Sequence, residues 1–402
     1  MIAGRSVSLL LIPASLLLAA AVWGFSGPVR FQSQKDEGVY LYYAVRVSRE
    51  GPAVFPGLFA EYHRDEAVLK YYPSPLRLTT IGMDAAAVRM GGENFQSLQW
   101  LSLASFLALL AVLGWALVRV GEAEIAGWVV LLVAASPLLL GMARRALSDS
   151  LVSALMAGGL LLLTDTLLRG GNWKRWTAVA LLYALAFLSK ESGLLLIPIS
   201  LALLAWWRFA RGRSIGLGPV LAVSVLPLLG AALAVSAAAG GLGTAWETFR
   251  VTLGSAQTNA YALKYGSGPW LRYILDFLLL SPGPALLYLG WLGLLLGSGE
   301  GKEAEWMWAG VPVLFLVLSA TSTKNVRYAM MLEIPVRLGA VFLLQRWSAR
   351  IRRPWARAAV IVLPVTLLAA LDLASFHDLF VRQEIYDPMT VVLMTARGLL
   401  PR

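Results

Sequence analysis

Long apolar runs recur along almost the whole chain, and they restrict its fold more than any other feature. A run of about twenty such residues can cross the hydrocarbon of a bilayer, which is roughly 30 Å thick, as a single helix. Hydrophobic residues make up 58% of the 402 residues, charged residues only 14%, and the mean hydropathy is +0.69. We therefore predict an all-α polytopic membrane protein.

The apolar runs, each bounded by charge or glycine, predict about eleven transmembrane helices. They fall near residues 7–24, 97–118, 125–142, 147–168, 175–190, 193–209, 218–239, 271–296, 306–320, 327–345 and 357–375. The first run also fits a cleaved signal peptide, but the lack of a clear small-x-small site before a polar stretch favours a retained anchor.

The same pattern divides the chain into one large domain, two long loops and a tail. A transmembrane domain covers 1–375, and within it a long first outer loop covers 26–96 and a further loop covers 240–270. Residues 376–402 form a short C-terminal segment. Prolines break the first loop into pieces whose apolar and aromatic residues suit short helices lying in the membrane interface.

Basic residues set the predicted orientation. Those beside alternate runs, such as Arg119, Arg211 and Arg353, belong in the cytoplasm by the positive-inside bias. The loop at 26–96 and the segment at 376–402 are then outside. Because much of the formal net charge of +11 falls in short loops beside apolar runs, nucleic-acid binding is not expected.

Two adjacent carboxylates, Asp36 and Glu37, follow the first apolar run closely, in the stretch Lys35-Asp36-Glu37-Gly38-Val39-Tyr40. Acids are costly to hold near hydrocarbon unless they have a function. They also head the long first loop, and loops of this length are more often functional than structural. We therefore predict that they mark the active site of an enzyme acting on lipid-borne substrates at the outer face.

Several basic residues break the positive-inside bias, because they lie at the predicted outer ends of helices. They are Arg144, Arg145, Lys190, Lys324 and Arg327. An anionic ligand would explain them, since Arg and Lys near a bilayer surface bind phosphate through charge-assisted hydrogen bonds. The alternative is that they reach lipid headgroups or pair with acids such as Asp149, Glu191 and Glu333.

Short segments on this predicted outer face carry a resemblance to a known family. They are Asp36-Glu37-Gly38-Val39-Tyr40, Tyr72-Pro73-Ser74-Pro75-Leu76, Arg144 to Asp149, Leu188-Ser189-Lys190-Glu191-Ser192-Gly193 and Asn325-Val326-Arg327-Tyr328. In their order and topology the chain resembles the GT-C glycosyltransferases, and in particular the group that contains protein O-mannosyltransferases, aminoarabinose transferases and RgtA/B/C/D-like proteins.

The resemblance implies a sugar transferase of the bacterial inner membrane whose active site faces the periplasm or exterior. Its donor would be a polyprenyl-phosphate-linked sugar, and its acceptor would be a lipid, a glycan or a protein. Membrane lipids are the other expected partners. Many relatives carry a soluble periplasmic domain, for which the segment at 376–402 is too short.

The resemblance gives Asp36, with Glu37 beside it, the role of the essential first-loop acid. The chemistry agrees, since a carboxylate can take the proton of an acceptor hydroxyl as its oxygen attacks the anomeric carbon. Fixed cations must stabilise the departing lipid phosphate. The candidates for that role are Arg144, Arg145, Lys190, Arg327, Lys70 and Arg77. Further substrate contacts are expected from Tyr40, Asp149, Glu191, Tyr265 and Tyr328. One displacement with inversion is the expected course.

A resident metal ion or other cofactor is not predicted. The chain has no Asp-x-Asp motif of the kind that holds divalent cations, and Arg and Lys alone can neutralise a monophosphate leaving group. Some family members bind a metal near the first loop, so Glu61, His63 and Asp65 form an alternative set. The absence of cysteine excludes disulfides and thiolate sites.

Two other classes of function stay open. A transporter or flippase of an anionic lipid-linked sugar would also place cations at one face, although such proteins usually hold ionisable residues near mid-membrane. A non-catalytic scaffold in envelope assembly is the third class.

Within one predicted span, Glu333 and Arg337 are four residues apart, which predicts an ion pair on one helix face.

Overall fold

The computed structural model describes residues 2–29, 36–64, 73–258, 271–319 and 324–396 of the chain. Within these ranges the regular secondary structure is entirely helical. The architecture is that of an all-α polytopic membrane protein, as the sequence predicts.

The helices, in chain order, are α1 Ile2–Phe25, α2 Asp36–Glu50, α3 Phe55–Arg64, α4 Leu78–Gly91, α5 Phe95–Arg119, α6 Ala123–Ala134, α7 Pro137–Ala143, α8 Asp149–Arg169, α9 Trp173–Phe187, α10 Leu196–Phe209, α11 Leu217–Val223, α12 Val225–Ala238, α13 Leu242–Thr258, α14 Arg272–Leu280, α15 Pro282–Ser298, α16 Glu303–Leu318, α17 Glu333–Ala349, α18 Pro354–Phe376 and α19 Pro388–Ala396. Short 3-10 turns cover Pro52–Val54, Glu191–Leu195 and Val326–Leu332, and a π-helical turn covers His377–Arg382.

Seven helical stretches of the described chain are long and apolar enough to cross a bilayer. They are Arg5–Phe25, Phe95–Arg119, Asp149–Arg169, Glu191–Phe209, Leu217–Ala238, Val326–Ala349 and Pro354–Arg382. Helices α6 and α7 form an eighth if they count as one span, which is bent by 60°. The bend lies at Pro137, which cannot donate a helical hydrogen bond, and Ser136 before it accepts a bond from Leu139 N at 3.3 Å.

The predicted count of eleven spans is not confirmed. Each predicted segment contains a helix, but α9, α15 and α16 have only 15, 17 and 16 residues. Helices of this length measure about 22–26 Å, which is shorter than the hydrocarbon thickness. The predicted span at 271–296 is also divided at Ser281 into α14 and α15. Length and composition therefore support seven or eight spans.

The spans differ widely in how much of their surface the protein covers. The stretch Val326–Ala349 is 89% buried, whereas Arg5–Phe25 is only 17% buried. Helix α17 packs between α15 and α18 and also contacts α6. Helix α1 packs against α5 and α6 at the periphery of the bundle. The 3-10 turn Val326–Leu332, which precedes α17, thus belongs to the best enclosed part of the bundle. Arg327, one of the predicted phosphate-binding residues, lies on this turn.

Arg337 on α17 ties several helices together inside the bundle. Its guanidinium donates to Leu132 O at 2.8 Å, to Ser281 Oγ at 2.9 Å and to Asp372 Oδ2 at 2.6 Å. The predicted ion pair with Glu333 is present as well. Because buried charges are costly unless they are paired and hydrogen-bonded, this network favours one arrangement of α6, α15, α17 and α18.

The described part of the segment 26–96 forms α2, α3 and α4, which are the short helices that the proline-bounded pieces predict. Helix α2 packs on α4, and the loop has a small core of its own around Leu58 and Phe59, both fully buried. That core also includes Ala239 and Ala245 from the α12–α13 region. These helices are therefore anchored to the bundle through α12 and α13.

Helices α1 and α6 approach closely where α6 has a glycine. Gly127 N donates to Ser8 Oγ at 2.9 Å, and a Cβ at this position would lie 1.8 Å from Ser8 O. The lack of a side chain at Gly127 is what allows the two backbones to come together.

Replacing Gly127 by alanine is expected to lower the free energy of unfolding by about 1–3 kcal/mol, because the added methyl must push α1 away from α6. Thermal melting of the purified protein in detergent measures the change. The control is Gly230→Ala on α12, where a Cβ meets nothing within 4 Å. Equal melting temperatures for the two variants would contradict the packing described here.

Candidate functional site

Charged side chains from five parts of the chain meet at one end of the bundle. They come from the first turn of α2, the start of α4, the turn before α8, the segment between α9 and α10, and the 3-10 turn before α17. The residues are Asp36, Glu37, Arg77, Arg145, Asp149, Lys190, Glu191 and Arg327. Segments that are up to about 290 positions apart in the sequence therefore contribute to one cluster.

Local folding explains how these side chains are directed. Asp36, Glu37 and Asp149 are in the first turns of α2 and α8, where carboxylates are stabilised by the unpaired N–H groups and the dipole of the helix. Asn325 caps the turn before α17, since its Oδ1 accepts a hydrogen bond from Arg327 N at 3.0 Å. The cap fixes the backbone from which the Arg327 guanidinium extends.

Asp36, Arg327, Asp149 and Lys190 form a line of alternating charge. Arg327 Nη2 lies 3.9 Å from Asp36 Oδ2, and Arg327 Nη1 lies 3.7 Å from Asp149 Oδ2. Lys190 Nζ donates to the other oxygen of Asp149 at 2.6 Å and lies 4.9 Å from the ring centroid of Tyr328. We call these four residues the charge line. The structure thus joins the first-loop acid to two of the predicted cations.

Within the charge line, Asp36 and Arg327 are the most accessible members. Their side chains are 41% and 22% exposed, whereas those of Asp149 and Lys190 are 2% and 8% exposed. The two distances from Arg327 to carboxylates exceed the usual hydrogen-bond range of about 2.7–3.2 Å. The guanidinium is therefore held electrostatically between two acids and keeps donors for a further anionic group.

Arg77 and Glu191 form a second pair beside the charge line. Arg77 donates from Nε and Nη2 to the two oxygens of Glu191, at 3.0 and 2.6 Å. It also bonds the hydroxyl of Tyr40, which lies 2.9 Å from Ser148 Oγ. Burial raises the pKa of the Tyr40 phenol above its usual value, although Arg77 opposes the shift. Tyr40 thus stays a neutral link between α2, α4 and the start of α8.

Glu37 has a different environment from its neighbour Asp36. It is fully buried, and its two oxygens accept bonds from Arg145 Nε and Nη2 at 2.7 and 2.8 Å. Ala146 N adds a third bond at 3.0 Å. The ring of Tyr386 lies 4.2 Å below the Arg145 guanidinium. Burial alone would lower the pKa of Arg145, but Glu37 raises it above the ordinary value. Glu37 is thus held in a buried ion pair with Arg145, and its catalytic role stays a prediction.

Arg144, a predicted phosphate-binding residue, is engaged with backbone in this structure. Its guanidinium donates to three carbonyl oxygens, those of Ser26, Gly27 and Phe380. These bonds attach the end of α1 and the segment after α18 to the turn before α8. Arginine donors engaged in this way hold backbone that would otherwise lack partners.

The remaining predicted residues have varied outcomes. Lys70 and Tyr265 lie outside the described ranges, as does Asp65 of the alternative metal set. Lys324 is buried at the start of the segment that leads to α17.

The other two members of the metal set make ordinary contacts. Glu61 accepts a bond from Tyr42 at 2.6 Å, and His63 Nε2 lies 2.8 Å from Thr248 Oγ1. In the described ranges, no group of three or more potential metal ligands occurs.

Sequence reasoning missed the roles of Ser148 and Tyr386. Ser148 lies in the segment Arg144 to Asp149 and directly precedes Asp149, so its position indicates that it belongs to the site. Tyr386 lies more than 200 positions from Arg145, and nothing local indicates that its ring covers a guanidinium. Contacts of this kind come from the packing of the C-terminal segment.

An apolar cavity of about 310 Å³ borders the Arg77–Glu191 pair. Glu191 is a charged residue of its wall, and most of the rest is apolar and comes from α12 and α13, including Val235 and Trp246, with Leu76, Phe187, Leu188 and Leu194 completing it. Trp246 is 63% exposed, so the cavity is bounded by a side chain at the protein surface. A chain of apolar groups could lie here with one end beside the charged cluster.

No family model matches this chain, and no curated protein is significantly similar to it. The function has to be argued from the site and from the resemblance of its short segments.

Glu37→Gln is expected to lower the free energy of unfolding by about 3–5 kcal/mol, because it leaves the buried Arg145 without its counter-charge. Asp36→Asn is expected to change it by less than about 0.5 kcal/mol, since Asp36 is partly exposed and makes no close bond to Arg327. Thermal or detergent unfolding of the two purified variants measures the difference. A similar loss in both would contradict the separate roles of these neighbours.

Proposed function

We propose that this protein is a membrane glycosyltransferase of the GT-C type. It transfers a sugar from a polyprenyl-phosphate-linked donor to a lipid, glycan or protein acceptor at the outer face of a bacterial inner membrane. The observation that carries the proposal is the position of Asp36. This accessible carboxylate lies 3.9 Å from Arg327, which is connected through Asp149 to Lys190.

Asp36 has the properties of a general base. It is ionisable, partly open to solvent and fixed at the start of a helix, so an acceptor hydroxyl can reach it. As the acceptor O–H loses its proton to Asp36, the oxygen forms a bond to the anomeric carbon. The bond from that carbon to the phosphate oxygen breaks, and the lipid phosphate leaves with the electron pair. The configuration inverts in this single displacement.

Arg327 suits the leaving phosphate better than the other predicted cations. Arg145 and Arg77 are engaged by bidentate bonds to carboxylates, and Lys190 bonds Asp149 at 2.6 Å. Arg327 has longer contacts and an exposed fraction of 22%. A fixed guanidinium near developing negative charge stabilises a transition state without having to reorganise. Lys190 supports Arg327 by sharing the charge of Asp149.

The apolar cavity beside Glu191 supports a lipid-linked donor. Part of its wall comes from α12 and from the Glu191–Phe209 stretch, which have the length and composition of membrane spans, so an isoprenoid chain could enter it from the bilayer. The phosphate at the end of such a chain would then lie near Arg77 and the charge line. An apolar cavity with a few convergent polar groups at one end is a common form of ligand site.

The orientation and the higher span count belong to the same proposal. Basic residues at the other ends of the spans, such as Arg119 and Arg353, favour the cytoplasm for that side. The charge line is then periplasmic. Eleven crossings would require α9, α15 and α16 to span a locally thin bilayer, and they would put the segment 376–402 outside, as predicted above.

A transporter or flippase of an anionic lipid-linked sugar is the second candidate. The buried network of Arg337, Glu333 and Asp372 favours it, because ionisable residues inside spans often mark the path of an ion or substrate. All three belong to one hydrogen-bonded and ion-paired network, which favours a structural role instead. Asp36 lies at the end of the bundle, whereas transporters usually hold their ionisable residues near mid-membrane. The position of Asp36 therefore favours the transferase.

Asp36→Asn is expected to reduce sugar transfer by a factor of about 10²–10⁴ with melting behaviour unchanged, because the amide cannot accept the hydroxyl proton. Mass analysis of envelope glycolipids, polysaccharides and glycoproteins from a host lacking the protein first identifies the missing sugar unit. Complementation with each variant then measures how much of that unit returns.

The matched control is Glu93→Gln, a first-loop acid whose side chain is 39% exposed, close to the 41% of Asp36. The control should restore the sugar unit fully. Normal transfer by Asp36→Asn would show that the base is another group. Partial flux of an intact lipid-linked sugar, without any transfer step, would favour the transporter.

Arg327→Gln is expected to lower turnover by a factor of about 10²–10³, since one donor to the developing charge is lost. Arg327→Lys should recover part of the loss because the charge remains. Arg49→Gln, at an exposed pair with Glu93, provides the control. In membranes supplied with the donor, a change confined to KM would instead assign Arg327 to binding of the ground state.

A further inference from the structure

A second group of charges lies at the opposite end of the bundle and takes no part in the proposed reaction. Three arginines there surround one carboxylate, Asp165 of α8. Arg119 is the last residue of α5, Arg169 is the last residue of α8, and Arg175 is in the first turn of α9. Because Asp165 follows Asp149 by 16 residues on α8, about 24 Å of helix separate this group from the charge line.

The three guanidiniums surround the carboxylate at moderate distances. Arg119 Nε lies 3.5 Å from Oδ1, Arg169 Nε lies 3.9 Å from Oδ1, and Arg175 Nη1 lies 3.7 Å from Oδ2. Asp165 itself is 1% exposed, but the arginine side chains are 33%, 47% and 29% exposed. We call these four residues the arginine cluster.

The arginine cluster has a surplus of positive charge. Three cations share one anion, and in the described ranges no other carboxylate lies within 4.0 Å of these guanidiniums. The net charge of the group is therefore +2. Two backbone carbonyls, Arg119 O and Gly170 O, take one donor each from Arg169 and Arg175. Because the contacts with Asp165 are long and the side chains are partly exposed, further N–H donors remain for a ligand.

The surroundings of the arginine cluster place it at headgroup depth. It lies at the ends of two long apolar spans, Phe95–Arg119 and Asp149–Arg169. Trp115 lies under the Arg119 guanidinium at 4.9 Å and is 50% exposed, and Trp173 at the start of α9 is 73% exposed. Exposed tryptophans at span ends are typical of the boundary between hydrocarbon and water.

We propose that the arginine cluster binds the phosphate of an anionic phospholipid from the leaflet opposite the charge line. Phosphate oxygens suit paired guanidinium donors, and the surplus charge selects an anionic headgroup over a zwitterionic one. Asp165 keeps the three arginines together without neutralising them. The acyl chains of the bound lipid would lie along the apolar surfaces of α5, α8 and α9. This inference is independent of the proposed transferase reaction.

Native mass spectrometry of the purified full-length protein tests the proposal, with phosphatidylglycerol and phosphatidylcholine added separately. The wild type should retain phosphatidylglycerol in preference to phosphatidylcholine. The double variant Arg119→Gln/Arg175→Gln should bind it about thirtyfold more weakly, since each basic residue near a membrane surface contributes a factor of roughly five. Addition of inorganic phosphate in millimolar excess should not displace the lipid, because the free ion lacks acyl chains.

The matched control is Arg352→Gln/Arg353→Gln, which removes two exposed basic residues from the loop between α17 and α18. It should bind phosphatidylglycerol as the wild type does. If it loses as much binding as the cluster variant, the effect is one of general charge and the proposal is wrong. Equal binding of phosphatidylcholine by the wild type, or displacement by inorganic phosphate, would also overturn it.

A further variant keeps the test valid if the glutamine pair lowers stability. Arg119→Lys/Arg175→Lys retains both charges, and its melting temperature is measured beside that of the wild type. It should keep most of the phosphatidylglycerol binding. A loss as large as that of the glutamine pair, in a protein that melts normally, would contradict the electrostatic basis of the proposal.

Discussion

The site depends on one constraint, which is that charges at the ends of buried helices have to be compensated. Asp149 is 2% exposed at the start of α8, and an isolated carboxylate there would be too costly to bury. Lys190 and Arg327 compensate it from two other segments. Since Arg327 has a second acid within reach, the compensation continues to Asp36 at the surface. The arrangement of the charged residues at this end of the bundle follows from these successive pairings.

Neighbouring positions on a helix can have opposite environments, and Asp36 and Glu37 illustrate the point. Successive helical residues are rotated by about 100°, so one of two adjacent side chains can face solvent while the other faces the bundle. Glu37 is directed towards Arg145 and is fully buried, while Asp36 stays accessible. The buried acid fixes the start of α2, and the exposed acid benefits from that rigidity.

Much of the fold and part of the site could be predicted from the sequence. Apolar runs indicate where helices lie, and the acids and bases at the predicted outer ends of the spans indicate that they form one group. The break at Ser281 and the short α9 were not predicted, because hydropathy alone does not show where a helix bends or ends. The partner of each charge was also not predictable. Asp372 pairs with Arg337 from 35 positions away, and Tyr386 covers Arg145 from a distant segment.

The asparagine cap at Asn325 has a further consequence for affinity. A long, freely rotating arginine loses conformational entropy when a ligand immobilises it, and that loss weakens binding. Here the backbone of Arg327 is already restrained by the Asn325 side chain, and two carboxylates limit the directions of the guanidinium. The ordering is completed when the chain folds. An incoming anion therefore meets a receptor that has little freedom left to lose.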